Sequence, residues 1–309
     1  MTKNKILITG CSGFIGSYLT KKLLKDYVVI GIDINKTKIN HKNFHFHQID
    51  IRDQKVEEIF KEHNIYKVIH LAALAGVRNS FKFPQEYADV NVKGLVNILE
   101  LSKKYKIKGF IFSSSSSVYG NCPNTPWSEH EKDLQPISPY ASSKLAGEIY
   151  CKMYSKVHNM NIIVLRFFSN LGPNGRRDMA PYLFIDAILK GNPIKKFGDG
   201  SMARDWCYVG DTVKGIISVL TSKALKRFEI INLGTGYPIT LNELIKIIEE
   251  ITNKTTIIKK YPKPKGDVNI TYANISKANN LLNYDPKVQL IEGLKKFYEN
   301  DFTTKNKTI

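Results

Sequence analysis

Tyr140 and Lys144 are the first pair of side chains in this sequence whose types and spacing could support proton transfer. Ser138 and Pro139, directly before them, are typical of a helix start, and residues four apart in a helix share a face. A tyrosine acts as a base only when its pKa falls from about 10 toward neutrality. That change requires roughly 4 kcal/mol, which a neighbouring ammonium and a cationic cofactor ring could supply in a dry site. The pair alone also fits a packed tyrosine and a surface lysine.

Five consecutive serines, Ser113 to Ser117, follow an apolar segment that predicts a strand over Gly109 to Ser113. If this strand lies in a parallel sheet, its carboxyl end is where a bound ligand is expected. A serine hydroxyl there could bridge a substrate hydroxyl and the Tyr140 phenol. Without the tyrosine and a glycine-rich turn in the same sequence, the serines would indicate only a polar turn.

Three glycines, spaced as Gly10-x-x-Gly13-x-x-Gly16, lie between a predicted strand, Lys5 to Thr9, and a predicted helix, Gly13 to Lys25. Glycines permit a tight turn and close approach of the backbone to a pyrophosphate, whose charge a helix N-terminus favours. The spacing differs from G-x-G-x-x-G, and taken alone it fits an ordinary strand-to-helix turn equally well. The contacts that we expect from this turn are Gly10, Gly13, Phe14, Ile15 and Gly16.

The ends of the next three predicted strands carry residues that suit a dinucleotide. Asp33 ends the second strand, 20 residues after Gly13, where an acidic side chain accepts hydrogen bonds from the adenosine ribose. A carboxylate there repels a 2′-phosphate, so NAD is expected in preference to NADP. Asp50 and Ile51 follow the third strand, where an adenine would lie. The fourth strand ends in small or apolar residues along which a dinucleotide could pass: Leu71, Ala72 and Ala73.

The elements that must position these residues alternate between strand and helix. This alternation predicts βαβ units, and therefore the α/β class with a Rossmann-type doubly wound parallel sheet. Strands are predicted at Lys5–Thr9, Val28–Asp33, Phe44–Gln48, Lys67–Ala72, Gly109–Ser113 and Asn161–Phe167. Helices are predicted at Gly13–Lys25, Gln54–His63, Pro84–Tyr105 and Tyr140–Val157.

After Arg166 the alternation breaks into shorter elements separated by glycine-containing loops. Helices are predicted near Met179–Lys190 and Leu241–Thr252. We therefore expect one domain over residues 1–165, with elements near 209–233 returning to it. A smaller C-terminal α/β lobe is expected over residues 166–309, on the carboxyl edge of the sheet.

The formal net charge of +18 raises the question of nucleic-acid binding. Lysines make up 39 of the 46 basic residues and are scattered singly or in pairs, whereas nucleic-acid surfaces concentrate charge and use arginine. We therefore expect no nucleic-acid partner. No apolar run approaches the roughly 20 residues that span a bilayer, and no signal-peptide pattern is present, so a cytoplasmic protein without a membrane partner is expected. Four widely separated cysteines indicate neither a disulfide framework nor a zinc site, and no metal is expected.

Together these motifs resemble those of the extended short-chain dehydrogenase/reductases, and among them the nucleotide-sugar 4-epimerases, over essentially the whole chain. The resemblance rests on Thr9-Gly-Cys-Ser-Gly-Phe-Ile-Gly16, Asp50-Ile-Arg-Asp53, His70-Leu-Ala-Ala73, Ser113-Ser-Ser-Ser-Ser-Val-Tyr-Gly120, Tyr140-x-x-x-Lys144, Gly198-Asp-Gly-x-x-x-Arg204-Asp205 and Gly266-Asp267-Val268. It implies tightly bound NAD, regenerated in each cycle, in the first domain and a nucleoside diphosphate sugar in the second lobe. The catalytic triad that it implies is Ser115, Tyr140 and Lys144. Further NAD contacts implied by it are Asn91, Ser113, Tyr140, Lys144 and Phe168.

The three residues before Val118 distinguish reactions within the family that the sequence resembles. In the 4,6-dehydratases they are Thr-Asp-Glu, because elimination of water needs an additional acid and base, and the decarboxylating relatives keep a Glu. Here they are Ser115, Ser116 and Ser117, without a carboxyl group. This difference favours plain epimerisation at C4.

Two stretches are most similar to the UDP-glucuronate 4-epimerases, Ala75 to Ser80 and Arg166 to Ala180. The implied reaction is the conversion of UDP-glucuronate to UDP-galacturonate by transient oxidation to the 4-keto sugar, rotation and re-reduction. Ser169 stands where that group usually has Thr, and Leu74, Asn170, Leu171 and Gly210 also depart from its pattern. The candidate substrate contacts are Arg78, Ser115, Ser116, Ser117, Ser169, Arg176, Arg204 and Asp267.

Alternatives to this substrate and reaction stay open at the level of the sequence. Ser169 and Arg176 are candidates for holding the glucuronate carboxylate, but a structural serine and a phosphate-contacting arginine fit the same positions. The other candidate activities are a 4-epimerase for UDP-glucose or UDP-N-acetylglucosamine and a nucleotide-sugar 4-keto reductase. A regulator that has lost catalysis is disfavoured by the intact triad. The resemblance also implies a homodimer paired through Pro84–Tyr105 and Tyr140–Val157, and a role in polysaccharide biosynthesis.

Overall fold

The computed structural model of the protein describes residues 3–264 and 266–303. Within these residues the chain divides into two compact units. The first unit comprises the described residues up to Asn121, Lys132–Arg166 and Ile216–Ile231, and the second comprises Cys122–Glu131, Phe167–Gly215 and the described residues from Asn232 onward. None of the helices formed by the described residues is long and apolar enough to cross a membrane.

Strands and helices alternate through the first half of the chain. In order they are β1 (Lys5–Thr9), α1 (Phe14–Leu23), β2 (Val28–Asp33), β3 (Phe44–Gln48), α2 (Val56–Glu62), β4 (Ile65–His70), α3 (Val77–Lys82), α4 (Pro84–Ala88), α5 (Gly94–Lys104), β5 (Gly109–Ser115), α6 (Pro139–His158) and β6 (Ile162–Phe167). The elements that follow are β7 (Ser169–Leu171), α7 (Ala180–Leu189), β8 (Ile194–Phe197), β9 (Ala203–Tyr208), α8 (Val209–Thr221), β10 (Phe228–Leu233), β11 (Pro238–Thr240), α9 (Leu241–Thr252), β12 (Ile258–Tyr261), α10 (Ser276–Leu282) and α11 (Leu290–Tyr298).

A seven-stranded parallel sheet forms the centre of the first unit, in the order β10-β6-β5-β4-β1-β2-β3. β1 has β2 on one side and β4 on the other, so the strand order reverses at β1. Its last residue, Thr9, is in register with Ile32 of β2 and His70 of β4. In such sheets ligands bind at this switch point, beyond the carboxyl ends of the strands. The doubly wound α/β fold predicted from the sequence is confirmed.

The central strands are buried on both faces. β1 has the sequence KILIT and is buried from its second residue onward, as expected for a parallel strand covered by helices on both sides. The buried core of this unit joins apolar side chains of these strands to those of α2 and α5. Leu7, Ile30, Val68, Phe110 and Val164 come from five of the strands. This core fixes the strand ends at which the candidate site residues lie.

The prediction of one continuous helix over Pro84–Tyr105 is wrong. A π-helical turn over Asp89–Lys93 separates α4 from α5. The turn carries Asn91, which is buried. Its side-chain amide donates to the Leu74 carbonyl and accepts from the Leu74 backbone nitrogen. A buried amide of this kind needs partners, and here the backbone of Leu74 supplies them.

Other boundaries differ by a few residues. β4 ends at His70 rather than at Ala72, so residues 71–73 belong to the following loop. β5 extends to Ser115, two residues beyond its prediction. Helix α3 was not predicted at all, because its sequence, VRNSFK, has only one buried residue and hence no apolar periodicity.

The second unit has its own sheets and core. A three-stranded sheet has the order β11-β9-β7, and a two-stranded parallel sheet pairs β12 with β8. Apolar residues of α7, α9 and α11, among them Ile185, Ile248 and Leu294, pack with Trp206 of β9 in one core. Asp205 on β9 is fully buried and accepts hydrogen bonds from the backbone of Thr235, Gly236 and Ala273, at 2.7, 2.9 and 3.1 Å. The aspartate therefore holds two separate loops of this unit to β9.

Candidate active site

The glycine turn after β1 has a geometry that only glycine satisfies. Gly10 has φ +74° and donates a hydrogen bond to the Ile32 carbonyl at 2.7 Å. A Cβ on Gly10 would lie 2.7 Å from the backbone nitrogen of Ala72, and one on Gly16 would lie 2.0 Å from the Gly10 carbonyl oxygen. The turn and the loop after β4 are therefore packed backbone against backbone.

The N-terminus of α1 is suited to an anion. Gly13 is its N-cap and contributes no side-chain hydrogen bond, and the first turn carries no acidic residue. The first backbone N–H groups of a helix have no partner within the helix, and they carry the positive end of its dipole. Phe14, Ile15 and Gly16 supply these groups. A pyrophosphate fits this turn.

Asp33 is fixed at the end of β2 with hydrogen-bonding capacity to spare. Its Oδ2 accepts from Ser12 N and its Oδ1 from Asn35 N, both at 2.9 Å. An ionised carboxylate offers about four acceptor positions, so two backbone donors leave room for ribose hydroxyls. Asp33 and the glycine turn thus fit the two ends of an adenosine diphosphate.

Asp50 and Ile51, expected beside an adenine, have well-defined partners. The Arg52 side chain donates to both carboxylate oxygens of Asp50, at 3.0 and 2.7 Å, and these hydrogen bonds lower the pKa of that carboxyl. Ile51 is buried in the core, and its carbonyl accepts from Asn97 Nδ2 at 2.6 Å. Arg52 also pairs with Asp89, so two ion pairs of Arg52 and the contact from Asn97 hold the loop after β3.

The loop after β4 is tied to the end of β1. Leu71 N donates to the Thr9 carbonyl at 3.1 Å, and Ala72 N donates to the Thr9 hydroxyl at 3.2 Å. The same hydroxyl contacts His70 Nδ1 at 2.9 Å. Burial lowers the pKa of His70 to about 3, so the imidazole is neutral. Ala73 follows in the same loop, half-buried.

Asn91 connects that loop to the helix that carries Tyr140. Its Nδ2 donates to the Leu74 carbonyl at 3.0 Å and contacts Ser143 Oγ at 2.9 Å. Its Oδ1 accepts from Leu74 N at 2.7 Å. The structure therefore gives this candidate cofactor residue a role in placing the backbone.

Lys144 is buried at the end of β5. Ser138 caps α6 by accepting from Ala141 N at 3.1 Å, which places Lys144 one turn into the helix. Only 3% of Lys144 is exposed; its Nζ donates to the Ser113 carbonyl at 2.8 Å and lies 5.2 Å from the centre of the Phe112 ring. Burial lowers the pKa of Lys144 to about 7. The surface-lysine alternative is excluded.

Tyr140 lies one turn before Lys144 on α6 and is half-buried. Its ring meets the Tyr87 ring edge-on, with centroids 6.2 Å apart and planes at 85°. Tyr87 donates from its hydroxyl to the Ala75 and Gly76 carbonyls at 2.9 and 3.0 Å. The Tyr140 ring is therefore packed against Tyr87, one helical turn before the buried Lys144.

The serines after β5 have distinct partners. Ser115 Oγ accepts from Ser117 N and donates to Ser117 Oγ, both at 3.1 Å. Ser114 points to the opposite face of the strand and donates to Glu148. The Ser113 carbonyl holds Lys144, while Ser116 is buried in the turn that follows. Ser115 points to the same face of β5 as Ser113. Its hydroxyl is held by Ser117, in the turn that directly follows the strand.

Glu148 and Arg166 were not predicted as site residues. Arg166 donates from Nε and Nη2 to the two carboxylate oxygens of Glu148, at 2.9 and 2.8 Å, and both side chains are buried. Spacing could have found Glu148, which lies four residues after Lys144, as Lys144 lies four after Tyr140, but it gives no signal for Arg166. The three side chains share one face of α6.

The candidate substrate residues are distributed over both units. Arg78 lies on α3 of the first unit and is exposed. In the second unit Arg176 donates from Nε and Nη2 to Asp178, at 3.0 and 2.6 Å. Arg204 and Asp267 form an ion pair with atoms 4.0 Å apart. Half-buried Ser169 begins β7, directly after Phe168, whose backbone nitrogen donates to the Leu233 carbonyl at 3.0 Å.

Comparison with known proteins identifies the family. Residues 6–234 match the model of the NAD dependent epimerase/dehydratase family. The chain is 40% identical to the UDP-glucuronate 4-epimerase of Thermodesulfobacterium geofontis, over 94% of each protein. The crystal structure of UDP-glucose 4-epimerase from Thermotoga maritima with UDP-glucose matches with a TM-score of 0.91 at 34% identity, covering 97% of this chain and 99% of that one.

A second solved structure that this chain matches contains UDP-glucuronic acid. UDP-glucuronic acid 4-epimerase from Bacillus cereus, in complex with UDP-glucuronic acid and NAD, matches with a TM-score of 0.87 at 36% identity. The match covers 96% of this chain and 98% of the B. cereus chain. The extent of these matches and the geometry of the glycine turn, Tyr140 and Lys144 agree, and the chain belongs to the NAD-dependent epimerase/dehydratase family.

Proposed function

We propose that this enzyme catalyses NAD-dependent epimerisation at C4 of a UDP-sugar and that its substrate is UDP-glucuronate, which it interconverts with UDP-galacturonate. The observation that carries the reaction type is the buried Lys144 ammonium at the end of β5, one turn from Tyr140. The residues around it, Ser115, Ser116 and Ser117, offer hydroxyls and no carboxyl group. This set can move one proton and does not supply the extra acid and base that elimination requires.

NAD fits the carboxyl ends of β1, β2 and β4. The N–H groups at the start of α1 would hold its pyrophosphate, and Asp33 would accept from its adenosine ribose. When bound, NAD takes a hydride from a sugar carbon and returns it. Assigned as further contacts are Gly10, Gly13, Phe14, Ile15, Gly16, Asp50, Ile51, Leu71, Ala72, Ala73, Asn91, Ser113 and Phe168.

The protein's own groups handle the proton of the sugar hydroxyl. We assign Tyr140 as the base that removes the proton from O4, with Ser115 as the hydroxyl that orients O4 toward it. The ammonium of Lys144 stabilises the phenolate across one helical turn. Because the pKa of Lys144 is lowered to about 7, its charge is present below that pH and is lost progressively above it. Proton transfer to and from Tyr140 therefore depends on a group that titrates near neutrality.

The second unit supplies the candidate groups that select the sugar. We assign the UDP-sugar mainly to this unit, through Ser169, Arg176, Arg204 and Asp267, with Arg78 added from the first. Because the 4-keto form of a glucuronate is a β-keto acid, its carboxylate must be held where loss of carbon dioxide is disfavoured. The fork of Arg176 already binds one carboxylate, that of Asp178, in the two-point geometry that a sugar carboxylate would require.

A neutral sugar is the second candidate substrate. The T. maritima enzyme, whose structure contains UDP-glucose, matches this chain with the higher TM-score of the two described, 0.91 against 0.87. Purified protein incubated with a panel of UDP-glucuronate, UDP-glucose and UDP-N-acetylglucosamine separates the candidates when the C4 epimers are resolved. We expect UDP-galacturonate as the main product. Epimerisation of UDP-glucose alone would replace the proposed substrate, and consumption of added cofactor with a 4-keto sugar would indicate a reductase.

We further infer a cytoplasmic location and a role in supplying sugars for polysaccharide biosynthesis. The cysteines Cys11, Cys122, Cys151 and Cys207 are buried free thiols, as is usual in a reducing compartment. Detection of the protein in the cytosolic fraction of disrupted cells would check the location.

Replacement of Tyr140 tests the proton acceptor. In Tyr140→Phe the ring and its contact with Tyr87 remain, but the group that takes the O4 proton is lost. We expect turnover to fall by several orders of magnitude while bound NAD, measured after denaturation, is unchanged. Tyr66→Phe, at an exposed tyrosine on β4, serves as the control and should keep wild-type turnover. Comparable turnover in the two variants would exclude Tyr140 as the base.

Cofactor choice tests the role of Asp33. The carboxylate at the end of β2 repels a 2′-phosphate, so NAD should raise the thermal midpoint of the cofactor-free protein and NADP should not. In Asp33→Asn this repulsion is removed, and the difference between the two nucleotides should narrow. Equal shifts with both nucleotides in the wild type would contradict the assignment.

Arg176 is tested by comparing charged and neutral sugars. Hydrogen bonds to a carboxylate are worth about 1.5–3 kcal/mol, so Arg176→Ala should lower kcat/KM for UDP-glucuronate by about 10- to 150-fold. UDP-glucose should be affected far less. Arg177→Ala is the matched control at the adjacent residue, and the double variant shows whether Arg177 substitutes for Arg176. An equal loss for both sugars would assign these arginines to the diphosphate and favour the neutral-sugar epimerase.

We propose that the enzyme is a homodimer that pairs through α6. This helix exposes Ile149, Tyr150, Met153 and Val157, which lie on one side of it, and 63% of Ile149 and 62% of Val157 are exposed. Ile149→Glu combined with Val157→Glu should give monomers in light scattering after size exclusion. Ile257→Glu, which alters a similarly exposed isoleucine in the second unit, should leave the mass unchanged. A wild-type protein that is monomeric would refute the proposal.

A further inference from the structure

A buried cluster behind the serines of β5 links the helix of Tyr140 to two strands. It consists of Ser114, Tyr119, Glu148 and Arg166, all in the first unit; we call it the Glu148 cluster. Ser114 Oγ donates to Glu148 Oε1, and Arg166 donates from Nε and Nη2 to the two oxygens of the same carboxylate. The Arg166 guanidinium also lies over the Tyr119 ring, 4.6 Å from its centre.

We propose that Glu148 is a positioning residue for the epimerisation: held by Arg166, it fixes Ser114 and so places Ser115 relative to Tyr140. The proposal rests on the proposed function, because it assigns Glu148 a part in that reaction. Glu148 has no direct part in the proton transfer, since its two oxygens are occupied by Arg166 and Ser114.

The geometry supports this through two contacts between the same pair of elements. Lys144 on α6 holds the carbonyl of Ser113, and Glu148, one turn later, holds the hydroxyl of Ser114. Two successive residues of β5 are thus attached to two successive turns of α6. The next residue of the strand is Ser115, and the residue one turn before Lys144 is Tyr140. A helix that slid along the strand would have to break both contacts.

Arg166 explains how a carboxylate can perform this task in the core. Glu148 and Arg166 are 4% and 2% exposed, and an unpaired carboxylate at that depth would take up a proton or draw in water. The two-point pairing gives both carboxylate oxygens a donor, and the Tyr119 ring covers the guanidinium from one side. The position of the Glu148 carboxylate is therefore fixed by Arg166.

The charge of Glu148 also acts on Lys144. Among the groups that face Lys144, the Cys151 thiol on α6 has a raised pKa and His70 on β4 a lowered one, so both are neutral near pH 7. The ring of Phe112 on β5 also lies against Lys144, and Tyr140 precedes it by one turn on α6. The Glu148 carboxylate favours the charged form of the lysine, which opposes the effect of burial. Without it, Lys144 would lose its proton at a lower pH.

Two substitutions separate placement from charge. Ser114→Ala removes the hydroxyl contact and leaves the charges of Glu148 and Arg166 in place. It should lower kcat by about tenfold with KM unchanged, because a small displacement of a catalytic group is enough to slow the reaction. Its pH–rate profile should keep the wild-type shape.

Glu148→Gln removes the charge as well. We expect a larger loss of kcat and an alkaline limb that moves to lower pH, since the neutral form of Lys144 is favoured. The phenolate absorbance of Tyr140, taken as the difference from Tyr140→Phe in the NAD-bound protein, should develop at higher pH than in the wild type. Glu100→Gln is the matched control, because Glu100 is an exposed carboxylate that pairs with Lys103 and Tyr154 and should change none of these quantities.

Two results would overturn the proposal. The first is that folded Ser114→Ala and Glu148→Gln both keep the wild-type kcat and pH profile. The second is that the variants have a lower thermal midpoint but an unchanged kcat per folded, NAD-loaded molecule. If Glu148→Gln does not fold, Ser114→Ala alone decides. If the wild type epimerises no UDP-sugar, the proposed function fails, while the phenolate titration still tests whether Glu148 governs the ionisation of Tyr140.

Discussion

The buried ammonium of Lys144 is the constraint on which the rest of the site depends. A lysine that is 3% exposed is stable only where a fixed acceptor and a favourable field replace water, and here these are the Ser113 carbonyl and the Phe112 ring. Because both belong to β5, the first turn of α6 has one position along that strand. Tyr140, one turn before Lys144 on α6, and Ser115, at the end of β5, then lie at the same end of the sheet. Because the pKa of Lys144 is lowered to about 7, its charge changes with pH near neutrality.

A second constraint, at the switch point of the sheet, is made of backbone. Thr9 ends β1 between β2 and β4, and its carbonyl and hydroxyl hold the two residues that follow β4. The glycine turn packs against Ala72 so closely that no side chain fits at Gly10. Neutral His70 stacks with the rings of Phe110 and Phe112, and Phe112 also lies against Lys144, so these rings connect the end of β4 to the lysine.

Much of this arrangement could be predicted from the sequence, because local patterns encode it. The glycine turn, the strand ends at Asp33 and Thr9, and the i, i+4 pair on α6 all follow from spacing within a few residues. The π-helical turn at Asn91 could not be predicted, since the partner of the Asn91 amide is the backbone of Leu74, 17 residues away. The pairing of Glu148 with Arg166 joins α6 to β6 and is equally invisible to periodicity. In the second unit, loops held by Asp205 from 30 and 68 residues away leave no local signal.

The candidate residues for proton transfer and those for sugar binding differ in how deeply they are buried. Two of the groups assigned to proton transfer, Lys144 and Ser115, are set in the core of the first unit and are 3% and 8% exposed, while Tyr140 is half-buried. The groups assigned to the sugar are more accessible: the Arg176 side chain is 34% exposed, and those of Arg204 and Asp267 are 22%. A substitution at an accessible arginine disturbs few packed neighbours, whereas one at Lys144 strands a polar group in the core. With the residues assigned in this way, the sugar-selecting groups can change without rebuilding the catalytic centre, and the structures that this chain matches include enzymes named for a neutral and for a charged UDP-sugar.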